Sequence, residues 1–191
     1  GVLIGRPSLI AGKLPWSLRR KTSRSMPAWI SIYCKHPIGA VTPDQLKSGI
    51  RDNDYWTLAE QYNVDEDLVD PALAALQVDA DGNGYQLHYR CRGERPLLIH
   101  VWDSPDRVKE EIEEAVECFE NASAKNKTHI QNHLAEVQAV VGIEMGFSQL
   151  EDMGIVFAYE VARWLGQHRG GLIKDDDDNW SLIDDGAFVH L

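Results

Sequence analysis

The sequence predicts a single α+β domain in which helices pack on one face of a mostly antiparallel sheet. Three observations lead to this fold class. The chain has 191 residues, about the length of one domain with its own core. Strand-like and helix-like apolar patterns follow the order strand, helix, hairpin, helix, strand, helix, hairpin. Short turn-forming segments separate neighbouring strands, as antiparallel pairing requires.

The first elements are predicted to be a strand followed by helices. Residues 29–35 alternate large apolar with smaller or polar side chains, which is typical of a strand. Thr-Pro-Asp at residues 42–44 supplies an N-cap, a proline at the first helical position and an acid in the first turn. We expect this helix to run to Tyr62 with an interruption near Gly49, before a shorter helix over residues 67–76.

A hairpin and another helix are predicted in the middle of the chain. Residues 85–91 and 96–102 have strand-like patterns and are joined by Arg-Gly-Glu-Arg at residues 92–95. Ser-Pro-Asp at residues 104–106 repeats the helix-start pattern. The apolar residues that follow at helical spacing are Val108, Ile112, Ala115, Val116 and Phe119.

The last third is predicted to contain a central helix. A polar stretch over residues 121–132, either a loop or a weak helix, precedes an apolar strand over residues 137–145. Ser148 with Glu151 three residues later is a capping box, which predicts a helix over residues 149–167. Apolar residues nearly encircle the middle of this helix, so we expect it at the centre of the protein.

This helix is expected to end at a glycine pair and to precede a closing hairpin. Gly170 and Gly171 suit the left-handed conformation that a helix C-terminus often needs. The hairpin turns around residues 175–179. Trp164 lies on the apolar stripe of the helix, so its side chain is predicted to be largely buried. The whole series of elements fits a ferredoxin-like core with additions.

Charge is unevenly distributed along the chain. The formal net charge is −11, but residues 1–25 carry six of the 19 basic residues and no acidic one. Those six are Arg6, Lys13, Arg19, Arg20, Lys21 and Arg24. Residues 26–191 therefore hold 13 basic and 30 acidic residues, a net charge of −17. Such a domain repels nucleic acids and anionic membranes, so we expect neither as a partner, and it attracts cationic proteins.

Residues 1–25 are predicted to be a basic leader outside the domain, which begins at Met26 and covers residues 26–191. The leader is rich in Arg and Ser and free of acids, as organellar transit peptides are, but Pro7 and Pro15 interrupt any amphipathic helix. An extension that is disordered or packs on the surface is the preferred interpretation. No apolar run approaches the roughly 18 residues that span a membrane.

The cysteines predict a reducing, cytoplasmic location. Cys34, Cys91 and Cys118 are far apart and form no Cys-x-x-Cys pair. Cys34 adjoins Lys35 and His36, as an activated thiol would, but a strand cysteine pointing into the core is the preferred interpretation. The sequence has no nucleophile elbow, phosphate-binding loop or dinucleotide motif, so we predict no catalytic residue and no cofactor.

One segment matches the first half of a calcium-binding loop. Asp79, Asp81 and Asn83 occupy its first three ligand positions, and Gly84 stands where the loop bends. Arg90, however, replaces the bidentate glutamate that closes such a loop, and a strand replaces its second helix. Because Asn-Gly is a common tight-turn dipeptide, a plain turn is the preferred interpretation. Asp79, Asp81 and Asn83 are kept as candidate metal ligands.

Two histidines have the spacing of metal ligands on a helix. His129 and His133 are four residues apart, so on a helix their imidazoles would share one face, as zinc ligands do. No third ligand is evident in the sequence. A structural role for both histidines is therefore the preferred interpretation.

The densest charge in the chain lies in the closing hairpin. Asp175, Asp176, Asp177 and Asp178 are consecutive, and one interpretation is that they are solvated hairpin charge. The other is an anionic patch that docks a basic protein partner, with Trp180 beside it as an apolar anchor, because aromatic residues are enriched in binding hot spots. These five residues are the candidate binding residues.

The segment GFSQLEDMGIVFAYEVARWLGQHRGGLIKDDDDNW resembles the closing segment of a family of bacterial α+β proteins. Its features are a capped helix, a glycine stop and a hairpin, and they imply no catalytic residue. In composition and topology the chain is also similar to immunity proteins of bacterial toxin systems, which occlude a basic toxin. A non-enzymatic acidic binding protein is therefore the preferred function. The alternatives are a divalent-metal enzyme that uses Asp and Glu, and a structural or regulatory homodimer subunit.

Overall fold

Eight strands form one antiparallel sheet within residues 27–39, 41–90, 93–117, 119 and 124–191, which are the residues that the computed structural model describes. The strands are β1 (Ala28–Cys34), β2 (Gln77–Asp81), β3 (Gly84–His88), β4 (Leu97–Trp102), β5 (Ala139–Met145), β6 (Gly171–Lys174), β7 (Trp180–Asp184) and β8 (Ala187–His190). Their order across the sheet is β2-β3-β4-β5-β1-β6-β7-β8. The predicted leader, residues 1–25, lies outside the described residues.

The helices begin largely where the sequence predicts. They are α1 (Pro43–Arg51), α2 (Tyr55–Gln61), α3 (Val69–Ala75), α4 (Pro105–Glu117), α5 (Ala124–Leu134) and α6 (Met153–Arg169). A capping box starts α1, because Thr42 Oγ1 accepts from the Gln45 N–H and Gln45 Oε1 accepts from the Thr42 N–H. The helix predicted to reach Tyr62 is two helices, since Asp54 caps α2 through the Thr57 N–H. Residues 124–132 of the polar stretch are helical and form most of α5.

The start of α6 differs from the prediction. The helix begins at Met153 with Asp152 as its N-cap, so the predicted capping box of Ser148 and Glu151 is wrong. The carboxylate of Asp152 is held by the Tyr89 hydroxyl, at 2.8 Å, and by the Arg90 guanidinium. These groups come from the far end of β3, and no local pattern predicts them.

The rest of α6 follows the prediction more closely. The helix ends at Gly170, whose φ of 60° is left-handed. Both Phe157 and Val161 are fully buried. Trp164 is only partly buried, so its predicted burial is corrected: its indole lies over α1 at the edge of the core.

Both faces of the sheet carry helices. Ile30, Ile32 and Cys34 of β1 point to a core that also contains residues of α1, α2, α3 and α6. Tyr33 points the opposite way, to a second core that it shares with residues of α4 and α5. We call these the α6 face and the α4–α5 face. The α+β class and the antiparallel sheet are confirmed. The prediction that the helices pack on one face is corrected, because they are divided between the two faces.

The predicted ferredoxin-like core is present in the strand topology. β1 and β4 are separated by β5, and β5 and β6 are separated by β1, so β6-β1-β5-β4 is a double split β-α-β unit. α6 connects β5 to β6 across the α6 face. The additions are the β2–β3 hairpin and the β7–β8 hairpin at the two edges, and α4 with α5 between β4 and β5.

Candidate functional site

The helices α4 and α5 cover only one end of their face of the sheet. The sheet residues packed beneath them include Tyr33, Val140, Leu172 and Trp180. The other end of the face stays partly exposed to solvent. Its principal side chains are Trp29, His100, Trp102 and Glu144, which we call the aromatic surface.

Cross-strand pairing builds the aromatic surface around a glycine. His100 of β4 pairs with Gly142 of β5, and Trp29 of β1 pairs with Glu144. The His100 ring stacks on Trp102 with centroids 5.9 Å apart and an interplanar angle of 7°, and lies 5.4 Å from the Trp29 ring. A Cβ at Gly142 would stand 2.6 Å from the Trp102 ring and 3.2 Å from the Trp29 ring. Both indoles therefore lie over the backbone of Gly142.

The charged groups of the aromatic surface are paired. Glu144 Oε2 lies 3.2 Å from His100 Nε2, and Glu144 Oε1 accepts from the Arg95 guanidinium. Arg107 lies over the Trp102 ring, 5.4 Å from its centroid, which is a cation–π contact. A guanidinium group is therefore already accommodated against one indole of this surface.

The aspartates of the closing hairpin divide into one buried and three exposed residues. Asp175 is buried, and its Oδ1 accepts from the N–H groups of Asp177, at 2.8 Å, and Asn179, at 3.0 Å. Burial raises the pKa of Asp175, although hydrogen bonds from Asn179 and Asp177 oppose that rise. Asp175 therefore shapes the turn, and its prediction as a binding residue is corrected.

The other three aspartates point to solvent. We call Asp176, Asp177 and Asp178 the acidic loop. Asp178 adopts a left-handed φ of 62° and forms an ion pair of 2.7 Å with Lys174. Of the five predicted binding residues, these three are the ones that a partner can reach.

Trp180 is not beside the acidic loop on the surface. Its side chain is 4% exposed and packs in the second core, with ring centroids 5.6 Å from Tyr33 and 5.5 Å from Phe119. The predicted role of Trp180 as an exposed anchor is therefore wrong. The aromatic residue next to the loop is Trp29, whose backbone N–H donates to Asp176 Oδ1 at 3.3 Å.

The segment resembling a calcium loop is a β-hairpin. Asp79 and Asp81 lie on β2, and Gly82 with Asn83 forms the turn to β3, so the turn interpretation is confirmed. The Asp79 carboxylate accepts from the Gln77 side chain at 2.9 Å. Among the described residues, no group of three or more His, Cys, Asp or Glu side chains is arranged to hold a metal ion. The candidate ligands Asp79, Asp81 and Asn83 thus lie along a strand and its turn.

His133 of the histidine pair and the first cysteine occupy structural positions. His133 is buried, its Nε2 lies 2.9 Å from the Tyr33 carbonyl oxygen, and burial lowers its pKa. His129 is exposed on the same helix. Cys34 is fully buried, and burial raises the pKa of its thiol to about 12. The interpretation of Cys34 as a core cysteine is confirmed.

Sequence reasoning missed the aromatic surface. Its one local signal was the spacing of His100 and Trp102, which places both rings on the same face of a strand.

Within the described ranges, no helix is both long and apolar enough to cross a membrane. Comparisons with protein-family models, curated proteins and solved structures each found no match. The similarity to toxin-immunity proteins stays a prediction.

Proposed function

We propose that this chain is a non-enzymatic binding protein that recognises a cationic protein partner, in the manner of an immunity protein. The contact surface combines the acidic loop with the aromatic surface. The observation that carries the proposal is the hydrogen bond from the Trp29 N–H to Asp176 Oδ1, because it makes the two features neighbours. An acidic cluster and an aromatic cluster that adjoin can bind a single partner.

The charge of the domain supports a cationic partner. Residues 26–191 carry a net charge of −17, which attracts basic proteins over long distances and accelerates their encounter. The three carboxylates of the acidic loop are solvent-exposed, and Asp178 already pairs with Lys174. Asp176 and Asp177 can therefore pair with a partner's Lys or Arg without a large desolvation cost. Specific contact then requires apolar area, which charge alone does not provide.

The aromatic surface supplies that area in a form suited to Arg and Lys. Indole faces attract a guanidinium or ammonium group, as the contact of Arg107 with Trp102 illustrates, and Trp29 offers a partly exposed indole to a partner. Glu144 lies at the centre of this surface with its side chain 18% exposed. A basic segment of the partner that crosses the sheet would therefore contact both indole rings and carboxylates.

Neither Glu144 of the aromatic surface nor Cys34 of the core is well suited to catalysis, which favours a binding role. Glu144 is shared between His100 and Arg95, and the buried Cys34 thiol has a raised pKa. A cytoplasmic location is part of the proposal, since free thiols persist there.

A cationic peptide probe tests the proposal. An Arg-rich peptide and its neutral citrulline counterpart would be titrated against the full chain by fluorescence anisotropy, at low and at moderate salt. We expect the Arg peptide to bind more tightly, with an affinity that falls as salt rises. Trp29→Ala and the triple change of Asp176, Asp177 and Asp178 to Asn should each weaken binding about tenfold, or ~1.4 kcal/mol.

The matched control carries the same change in charge on another surface. Asp65, Glu66 and Asp67 are exposed just before α3, on the opposite face of the sheet from the aromatic surface, and changing them to Asn, Gln and Asn removes three carboxylates. This control should change the affinity less than about twofold, since only the long-range field is reduced. Equal weakening by both triple variants would show non-specific attraction, and an unaffected Trp29→Ala variant would remove the aromatic surface from the contact.

A further inference from the structure

A separate cleft lies between α1 and α6, on the opposite side of the sheet from the aromatic surface. It has a volume of about 470 Å³, which falls within the range of small-molecule sites. Its lining residues are Asp44, Gln45, Ser48, Trp164, His168 and Arg169. The indole of Trp164 forms one wall and stacks on His168 at a centroid distance of 4.7 Å.

A glycine allows this wall to form. A Cβ at Gly49 would stand 2.0 Å from Trp164 Nε1, so the indole lies directly on the backbone of α1. Trp164 is partly buried at the core edge, with the remaining surface facing the cleft. The cleft therefore offers a flat apolar wall to a ligand.

Arg169 supplies the charge, and no carboxylate among the described residues forms an ion pair with its guanidinium. Its Nε is buried, and no acceptor in the described part of the chain hydrogen-bonds to it. The other partly buried arginines are paired: Arg90 binds Asp152, and Arg163 binds Glu160. Among the partly buried arginines of the described residues, Arg169 therefore differs in having no carboxylate partner. Because Nε itself is closed to solvent, a ligand in the cleft can pair only with the terminal NH₂ groups of Arg169, and these can bind an anion from outside the chain.

Other donors line the same cleft. The Oε1 of Gln45 accepts from the Thr42 N–H, which leaves the amide NH₂ for a ligand. The Nδ1 of His168 lies 2.8 Å from the Trp164 carbonyl oxygen, which leaves Nε2 for a ligand. The hydroxyl of Ser48 is a further donor. Asp44 adds one carboxylate to the lining, which disfavours polyanions and favours a singly charged ligand.

We propose that the cleft between α1 and α6 binds a small organic carboxylate. The ligand's carboxylate pairs with Arg169, whose planar guanidinium matches a carboxylate in two parallel hydrogen bonds. Its apolar body lies against the Trp164 indole. The site is distinct from the proposed partner surface, since the two share no residue, and either proposal can fail without the other.

Benzoate is a suitable probe, because it joins a carboxylate to a flat apolar ring. The full chain would be titrated by isothermal calorimetry with benzoate, with neutral benzyl alcohol, with acetate and with inorganic phosphate. We expect saturable binding of benzoate, weaker binding of acetate and no saturation with benzyl alcohol. Tighter binding of phosphate than of benzoate would overturn the assignment of a carboxylate with an apolar body.

Substitutions of Arg169 and Gln45 test whether these two lining residues contact the ligand, and a substitution of Arg51 is the control. Arg169→Gln should weaken benzoate binding at least about tenfold, whereas Arg51→Gln, an exposed arginine on α1, should leave it within about twofold. Gln45→Glu keeps the acceptor that caps α1 but brings a negative charge to the cleft, so it should weaken binding to a similar extent without unfolding the protein. Thermal melts would confirm that each variant folds. Unchanged benzoate affinity in Gln45→Glu, and in Arg169→Gln where that variant folds, would overturn the proposal.

Discussion

The backbone N–H of Trp29 donates a hydrogen bond to Oδ1 of Asp176, which follows it by 147 residues in the chain. The contact exists because β1 pairs with β6 in the register Ser31 to Lys174, so the loop after β6 passes the first residues of β1. The same loop leads into β7, where Trp180 turns towards the second core. Two tryptophans near one loop therefore have opposite roles.

The first prediction contrasts these two tryptophans. Trp180→Ala should lower the free energy of unfolding by about 3–5 kcal/mol, because it opens a cavity among Tyr33 and Phe119. Trp29→Ala removes a partly exposed side chain and should cost only about 1 kcal/mol. Urea denaturation followed by circular dichroism gives both values. Equal losses would mean that Trp29 is a core residue and not part of a binding surface.

The second prediction concerns Gly49, on which Trp164 rests. Gly49→Ala improves helix propensity by about 1 kcal/mol, but the new methyl group would overlap the indole. Because overpacking costs about 1–3 kcal/mol, we expect a net loss of stability or no gain. Gly39→Ala is the control, since nothing lies within 4 Å of a Cβ there. A clear gain in thermal midpoint for Gly49→Ala would show that Trp164 moves aside freely.

The third prediction concerns the pH dependence of stability. Glu160 is buried in α6, and burial raises its pKa above 4.5, against the opposing hydrogen bond and charge of Arg163. A carboxyl with a raised pKa in the folded state contributes stability below its unfolded pKa and loses it as the pH rises. The stability of the parent protein relative to Glu160→Gln should therefore decrease between pH 4.5 and neutral pH.

Urea denaturation of both proteins across this interval measures that difference. Other titrating groups are common to the two proteins, so their effects largely cancel. If the parent instead gained stability over Glu160→Gln with rising pH, the ion pair with Arg163 would outweigh burial, and the pKa of Glu160 would be lowered.

The fourth prediction concerns Cys34. Because its thiol is fully buried with a pKa raised to about 12, it should not react with a thiol reagent in the native protein at mildly alkaline pH. The measurement uses a variant with Cys91→Ser and Cys118→Ser, so that Cys34 is the remaining thiol. Complete labelling in denaturant is the positive control. Rapid labelling of the native variant would contradict a core position for Cys34.

Much of the fold could be predicted because its signals are local. Thr42 and Pro43 start α1, Gly170 ends α6, and the hairpin turn falls at residues 175–179, as expected. Each of these features depends on the backbone preferences and side-chain hydrogen bonds of adjacent residues. The start of α6 was predicted at the wrong residue although its cap is also local, since Asp152 accepts from the Gly154 N–H. What lies outside the local sequence is the support of the Asp152 carboxylate by Tyr89 and Arg90, just after another strand.

The candidate site shows the same division. The acidic loop was identified from four consecutive aspartates, which a sequence displays directly. The aromatic residue beside this loop could not be identified in the same way. Period-two alternation shows which side chains share a face of the sheet, but it does not show which face the helices cover. α4 and α5 cover Trp180 and leave Trp29 partly exposed, and only the pairing of distant strands brings Trp29 to Asp176. Composition and local hydrogen bonding thus determined the elements and the charge, whereas strand register and helix packing decided which residues meet at the surface.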